Sequence, residues 1–560
     1  MMFNIPSLVG AAPNTAGWSS KAVLVEQVSA AAQYPSIAMD DNGNAIAVWQ
    51  QWNTVDHVND IYVSRFSSGS WGPSASIDDQ STNAIMPKVV MDDHGDAMAA
   101  WLQDGSVWAV RYSSGGWGTP QVLNAFTYQV ESIDIAMDNN GSAIVVWSQH
   151  NDNNPIGTVL IHASRFSAGM WSGDSTIENG VHDAGSPVIA MDSNGNATVV
   201  WPQSDGSSYH IYSNRFSASG WGTSVQIESL DNASIPQVGM DNNGGAMVVW
   251  MQFPDYKVYA NHFAAGAWST PILLSTSDGA AGYPTLATDG KGNAIAMWSQ
   301  SNSTNDSIFT NRYSSGGWST SMVFQAGFNY NSTIPEVAMD DNGNAMAVWR
   351  QNYSGSNHLV ASRYSTGTWG SHLQIDSISS SPDIPRIAMD YNGNAIVIWD
   401  QQYYMNPNIY ARSYVADLTL TISTPAQGSI VSSSAVLVTG SSIPGAELNI
   451  NGYTVGVSAI GAYSAVIPLL QGTNTITVTA TSKAWGTTKA VSTSVIYNDQ
   501  TKADLNDTNA KVAQLQNDLN VTRQQLNDAK NNMVPTLIGV IALIVAIVAL
   551  LLVVLRKRKA

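Results

Sequence analysis

The chain reads as all-β: an eight-bladed β-propeller followed by an Ig-like β-sandwich, a coiled-coil stalk helix and one transmembrane helix. Three observations predict this. A stretch of the form IAMDDNGNAIAVWQQ at 37–51 occurs eight times, its aspartate falling at Asp40, Asp92, Asp138, Asp192, Asp241, Asp289, Asp340 and Asp390. That period, about 50 residues, belongs to arrays, solenoids and propellers. Each unit carries four short apolar runs: SIAMD, then AIAVWQQ across an Asn-Gly turn that supplies positive φ, then IYVSRFS, then a run opening WGPSASI. The tryptophan that opens the fourth run stands at Trp18, Trp71, Trp117, Trp171, Trp221, Trp268, Trp318 and Trp369. The first of these precedes the first aspartate repeat, and the last repeat stops after its third strand. A ring accounts for the offset, because the strand Gly17 to Glu26 can complete the last blade and leave no open edge. A solenoid would want polar end caps, and none is visible.

Residues 1–16 form a leader of unclear role, with no basic n-region and only the weak apolar stretch IPSLVGAA. The propeller takes residues 17–417. From repeat aspartate to strand-two tryptophan is 9 residues in every copy, as in Asp40 to Trp49; from strand-three basic residue to strand-four tryptophan is 6, as in Arg65 to Trp71. These constant hairpins share one rim. The connection from strand two to strand three varies from 10 residues (Trp101 to Arg111) to 18 (Trp147 to Arg165) and emerges on the opposite rim. Trp52, His57, Trp108, Tyr209, Tyr256, Tyr353, Tyr403 and Tyr404 lie in or beside these loops, mixed with aspartates. Aromatic faces flanked by carboxylates suit stacking on sugar rings or docking a protein, so these are the candidate ligand-binding residues.

The repeated residues read mainly as structure. Sixteen of the nineteen tryptophans are the strand-two and strand-four positions, suited to packing between blades. Pro35, Pro87, Pro187, Pro236, Pro284, Pro335 and Pro385 enter strand one, with Ile133 as the exception. Each unit also has an aspartate ending strand one and a basic residue late in strand three. Hydrogen-bonded ion pairs are therefore expected at Asp40 with Arg65, Asp138 with Arg165 and Asp340 with Arg363, within a blade or across to its neighbour. His262 opposite Asp241 should be the weakest. Asp40, Asn42 and Asn44 resemble the start of a calcium loop, but His94 and Lys291 break the pattern and the turn accounts for it, so no metal or other cofactor is assigned. A glutamine two residues after each strand-two tryptophan, Gln51 through Gln401, reads as satisfying backbone groups rather than a ligand.

Residues 418–498 change character to short alternating runs with almost no charge, the spacing of a β-sandwich. The segment LQGTNTITVTA, preceded by TPAQGSIV and GAELNINGYTV, resembles the Ig-like modules of bacterial and archaeal surface proteins, particularly the glucodextranase B-type domain. The resemblance implies a spacer or accessory module with no catalytic residues to carry over. Residues 499–533 are polar and helix-prone with Leu505, Val512, Leu519, Leu526 and Met533 at heptad spacing, a coiled-coil stalk that implies a homo-oligomer. Residues 534–555 carry no charge and as a helix span about 33 Å, enough to cross a bilayer core of about 30 Å. The basic tail at 556–560 then places the C-terminus in the cytoplasm and everything before it outside. An outward ectodomain needs an export signal, so the start reads as truncated or misassigned; the alternative, a tail-anchored protein with its propeller in the cytosol, is opposed by the tail charges. This order of modules looks like a microbial, archaeal surface protein, and the repeats look like the MDxNGNAxAVW repeats of secreted microbial proteins.

The formal charge of −18, despite four bases in the tail, disfavours nucleic acid as a partner. Zero cysteine removes disulfides and thiol chemistry. No HExxH, GxSxG or phosphate loop is present, so the chain is read as a non-enzyme, with a propeller glycosidase using two rim carboxylates as the minor alternative. The expected function is a single-pass cell-membrane protein whose propeller binds extracellular glycan or protein through its variable-loop rim. The alternative is a structural anchor for a surface layer.

Overall fold

In the computed structural model, residues 17–557 are described, apart from 28–29, 79–81, 125–128, 152–157, 181, 277–278, 302–304, 326–330, 354, 377–380, 404–405, 444, 459–460, 483–484 and 531–537. Among them the chain forms ten sheets and two helices. There are two compact units. One is built on the chain up to Thr419 with Ile443–Glu447 and Ala480–Lys489; the other takes Leu420–Ser442, Leu448–Thr479 and the residues from Ala490 onward.

In the first unit eight five-stranded sheets repeat one plan. Ala32–Met39 pairs with Ala45–Trp52, which pairs with Asn59–Ser67, and the fourth strand comes as two short pieces, Ser70–Trp71 and Ala75–Ser76, along the outer side of the third. The eighth sheet is stitched from both directions. Arg386–Met389, Ala395–Tyr403 and Asn406–Val415 are completed by Gly17–Trp18 and Val23–Leu24, with Trp18 opposite Tyr414 and Leu24 opposite Tyr410. Innermost strand Ala32–Met39 lies beside both Ala84–Met91 and Arg386–Met389, so the sheets close into a ring. The expected offset is thereby explained: Trp18 and Trp399 share a sheet.

Second strands read as continuous apolar runs because both of their faces are buried between blades. Ala45, Ala47 and Trp49 pack against Ile396 and Ile398 of the eighth blade, while Ile46 and Val48 pack against Ala97, Ala99 and Trp101 of the second. All eight second-strand tryptophans are fully buried. Burying an indole requires a partner for its N–H. The glutamine two residues on supplies it in every blade, from 2.7 Å (Trp201 Nε1 to Gln203 Oε1) to 3.2 Å (Trp349 to Gln351). Its own amide then donates to the main chain leading into the blade, as Gln203 Nε2 does to His182 O at 2.6 Å. Gln203→Leu should therefore cost about 1–3 kcal/mol, the range for orphaning a buried donor, read as a lower urea midpoint at unchanged slope.

The strand-four tryptophans sit edge-on to a strand-three ring of their own blade, with centroids 5.5 Å apart for Phe66 and Trp71 and 5.3 Å for Tyr112 and Trp117. Such pairs add about 0.5–1.5 kcal/mol beyond burial and fix the outer edge of each blade.

The remaining two sheets hold the strands of a β-sandwich. One sheet runs Leu420–Thr424, Ala435–Ser442, Ala462–Pro468; the other runs Ser429–Val431, Thr488–Tyr497, Gly472–Thr481, Glu447–Ile450, Tyr453–Val455. Helix α1 (Gln500–Lys530) follows, then α2 (Ile538–Lys557). Among the described residues no coiled coil is shown, and heptad residue Met533 lies outside them. Among the described residues no helix is long and apolar enough to cross a membrane. The expected span at 534–555 begins with 534–537, which also lie outside them.

Candidate functional site

The ring has two unlike ends. On the constant rim each repeat aspartate is consumed by its own turn. Asp40 Oδ1 accepts from the Asn42 and Asn44 main-chain N–H groups at 3.0 and 2.7 Å, Oδ2 accepts from Asn44 Nδ2 at 2.7 Å, and Gly43 N donates to Asp40 O at 3.0 Å. This Asx-turn recurs at Asp92, Asp138, Asp192, Asp241, Asp289, Asp340 and Asp390. The next side chain but one ties blades together: Asn342 Nδ2 donates to Tyr391 O at 3.0 Å and Asn392 Nδ2 to Asp41 O at 3.2 Å, across the closing seam.

Between these turns opens an axial cavity of about 520 Å³, lined by the ends of the innermost strands. Its lip is the residue after each repeat aspartate and includes Asp41, Asp93 and Asp341. Burial, then Asp93 and Asp341, push the Asp41 carboxyl up to about 7, and burial also raises Asp93. Sequence reasoning placed its candidates on the other rim and missed this mouth, because the lip position varies chemically from blade to blade.

The expected ion pairs take another form. Among the described residues Asp40 with Arg65, Asp138 with Arg165 and Asp340 with Arg363 do not close to salt-bridge distance, because the turn has already claimed the carboxylate. The guanidinium instead covers the strand-three ring of the following blade: Arg65 over Tyr112 at 5.9 Å, Arg165 over Phe216 at 5.2 Å, Arg215 over Phe263 at 3.9 Å, Arg363 over Tyr414 at 5.4 Å. Each such contact is worth about 0.5–2 kcal/mol. Blade five places His262 there, its ring 5.2 Å from Tyr313 and its pKa lowered by burial.

The seam between the eighth and first blades lacks this guanidinium. Ser413 stands opposite Ile396 where Arg65 stands opposite Ile46, and Arg412 turns away to donate to Ser19 O at 2.9 and 3.0 Å. Trp485 fills the place. It is buried, its ring lies 5.0 Å from Phe66, and a Cβ on Gly43 would fall 2.1 Å from its Nε1. Asp390 beneath this seam is raised to about 7 by burial, against the hydrogen bonds from Asn394 and Asn392.

On the long-loop rim the sequence candidates divide. Trp52, Tyr209 and Tyr256 are exposed (39, 42 and 47%), with His57 6.3 Å from Trp52 and Phe253 5.0 Å from Tyr256. Trp108 is half-buried in its third strand. The side chains of Tyr353 and Tyr403, and all of Tyr404, lie outside the described residues. Beneath these loops runs a series that sequence reasoning missed. Main-chain N–H groups of Val107, Ile211, Val258, Leu359 and Ile409 donate to Asn124, Glu228, Ser275, Asp376 and Glu26 at 2.7–3.2 Å. Its chemistry differs at each position, which leaves no motif to find.

A third feature belongs to the innermost strands. Five of them break register opposite the second-strand tryptophan. The residue before the proline takes φ of 51–54° at Tyr34, Met86, Ile235, Tyr283 and Ile334. Left-handed backbone at such residues costs about 1–3 kcal/mol each and persists where packing over-determines it. The proline is buried and its predecessor is exposed, apart from Ile334, which is half-buried.

Fold and rims together define an eight-bladed propeller joined to an Ig-like module. Residues 418–500 match the family glucodextranase, domain B. No curated protein matches the chain. Solved structures similar to it include the Dos1 propeller (7% identity, 73% of this chain and 96% of that one, TM-score 0.43) and an ulvan lyase described as a polysaccharide lyase (10%, 58% and 91%, 0.40). A Penicillium chrysogenum α-L-arabinanase complexed with arabinobiose is another (13%, 51% and 92%, 0.32). The reading of the chain as a non-enzyme is corrected by these findings: polysaccharide-cleaving proteins are among the structures it resembles, so catalysis is not set aside.

Proposed function

We propose that the chain is a surface protein whose propeller binds carbohydrate through the long-loop rim. The observation that carries this reading is the asymmetry of the two rims: turn carboxylates on one side are consumed by their own hairpins, while Trp52, Tyr209 and Tyr256 stand exposed on the other. Supporting it is the match of residues 418–500 to a module named for a carbohydrate-active enzyme. In this reading the uncharged run at 534–555, with the basic residues Arg556–Lys559 after it, anchors the protein in a membrane with the propeller outward, and α1 is the stalk that brings copies together.

The test is glycan-array binding by the full chain in detergent micelles, with Tyr209→Ala and Tyr256→Ala combined. A defined glycan signal that falls about tenfold in the double variant is expected, the effect of removing two aromatic contacts. The same ligand incubated and followed for new reducing ends or unsaturated products reads any cleavage. No glycan signal, with ordered lattices on purified membranes, would favour a surface-layer anchor instead.

A further inference from the structure

Resting on the carbohydrate-binding reading, we propose that the ligand's seat is the axial mouth on the long-loop side, and that it takes an uncharged glycan chain held by Tyr34 and Tyr283. The innermost strands form the wall of the axis, and their bulges lie toward the rim opposite the constant hairpins, level with the buried tryptophans. A bulge re-aims a side chain. Here the re-aimed residues are large and apolar, yet four of the five stand in solvent: Tyr34 is 59% exposed, Tyr283 57%, Met86 45% and Ile235 39%, while Ile334 is half-buried. A chain under selection only for stability would place glycine at these left-handed positions or bury the side chains. Tyr34 and Met86 belong to blades one and two, Ile235 and Tyr283 to blades five and six, so two groups stand on opposite arcs of the ring. That arrangement suits a chain lying across the mouth rather than a single free sugar.

Charge selects the ligand class. The described innermost strands carry five charged side chains above the constant rim; four of them form two salt bridges and the fifth, Glu131, hydrogen-bonds an imidazole. Lys88 meets Asp134 at 3.4 Å, Glu131 meets His150 at 2.9 Å, and Glu336 meets Arg386. The described wall at this end thus offers no unpaired cation, while the far mouth carries Asp41, Asp93 and Asp341. A polyanion gains nothing at the first and is repelled by the second. The C–H face of a neutral pyranose stacks on a phenol ring without needing a counter-charge.

The test is affinity electrophoresis of the full chain in detergent micelles, in gels cast with dextran, mannan or galactan as uncharged probes and polygalacturonate as the anionic one. Tyr34→Gly with Tyr283→Gly should weaken retardation by an uncharged probe about tenfold, leave the melting temperature unchanged or higher because glycine accepts the positive φ, and Tyr34→Phe with Tyr283→Phe should bind as the parent does. Undiminished retardation of the glycine variant, with loss in Tyr209→Ala/Tyr256→Ala, overturns the axial seat and leaves the carbohydrate reading standing. Retardation by polygalacturonate alone overturns the assignment of an uncharged ligand. No retardation in any gel overturns both readings.

Discussion

Replacing Trp485 with alanine is expected to lower the stability of the propeller by about 3–5 kcal/mol, the range for truncating a large buried aromatic. The argument is positional. The interfaces that carry the strand-three arginine are sealed by that guanidinium over the next blade's ring, with the next turn's glycine beside it, as Gly393 sits over Arg363 and Asp340. At the closing seam Ser413 leaves no guanidinium, and the indole of Trp485 covers Phe66 and Gly43 in its stead. Removing it leaves a cavity at the seam where the eighth blade meets the first. Gly43→Ala should disturb the same seam, since its φ is +81° and its added carbon would meet the indole at 2.1 Å. Gly115→Ala, with the same φ and nothing within 4 Å, should cost only about 1 kcal/mol. Thermal unfolding followed by tryptophan fluorescence separates the three; equal losses for Trp485→Ala and Gly115→Ala would refute the sealing role.

The second large effect is on pH. Glu26 is 2% exposed, accepts from the Ile409 N–H at 2.7 Å, and has its pKa pushed up to about 8, first by burial and against its backbone hydrogen bonds. Its ordinary value is 4.5. Below that pH the group is neutral whether the chain is folded or not. Between 4.5 and about 8 the unfolded chain releases a proton that the folded chain keeps, so stability falls as pH rises and the full loss is reached above about 8. Asp41 and Asp390, raised to about 7, act in the same direction. The melting temperature should therefore be highest in mild acid. Glu26→Gln keeps an acceptor for Ile409 and removes the titration, so at pH 9 it should be more stable than the parent by about 3–5 kcal/mol and near parity at pH 4. A melting temperature that climbs from pH 5 to 9, or a glutamine variant as pH-sensitive as the parent, would contradict this.

What was legible in the sequence was what repeats. Eight aspartate-and-glycine turns, six of them with Asn-Gly, eight second-strand tryptophans and the displaced Trp18 carry the number of blades and the stitched eighth sheet, because each is a local chemical requirement printed at a fixed interval. The glutamine series was visible as a series, and its backbone role is met by the side-chain amide, as Gln203 Nε2 donates to His182 O; its second partner was not read, the indole N–H that Gln51 accepts from Trp49 two residues away on one face of a strand. Arginine was harder. From Asp40 and Arg65 alone an ion pair is the natural reading, and only the packed structure shows the turn taking the carboxylate while a ring 47 residues downstream, Tyr112, takes the guanidinium. Trp485 could not be found by periodicity, since it occurs once and lies far beyond the ring-forming repeats. The bulges announced themselves only through Pro35 and its counterparts, which say where the chain bends and not that Tyr34 is turned into solvent.

The central claim is that the ring is closed by its own N-terminal strand, and disulfide trapping tests it most directly in a chain with no native cysteine. With Leu24→Cys and Tyr410→Cys, whose Cα positions are paired in the eighth sheet, mild oxidation of the monomer should yield one intramolecular cross-linked peptide. Leu24→Cys with Tyr212→Cys, the matching position of blade four, should leave both thiols free. Free thiols in the first variant, or cross-linking at the same rate in the second, would contradict closure and with it the assignment of the two rims.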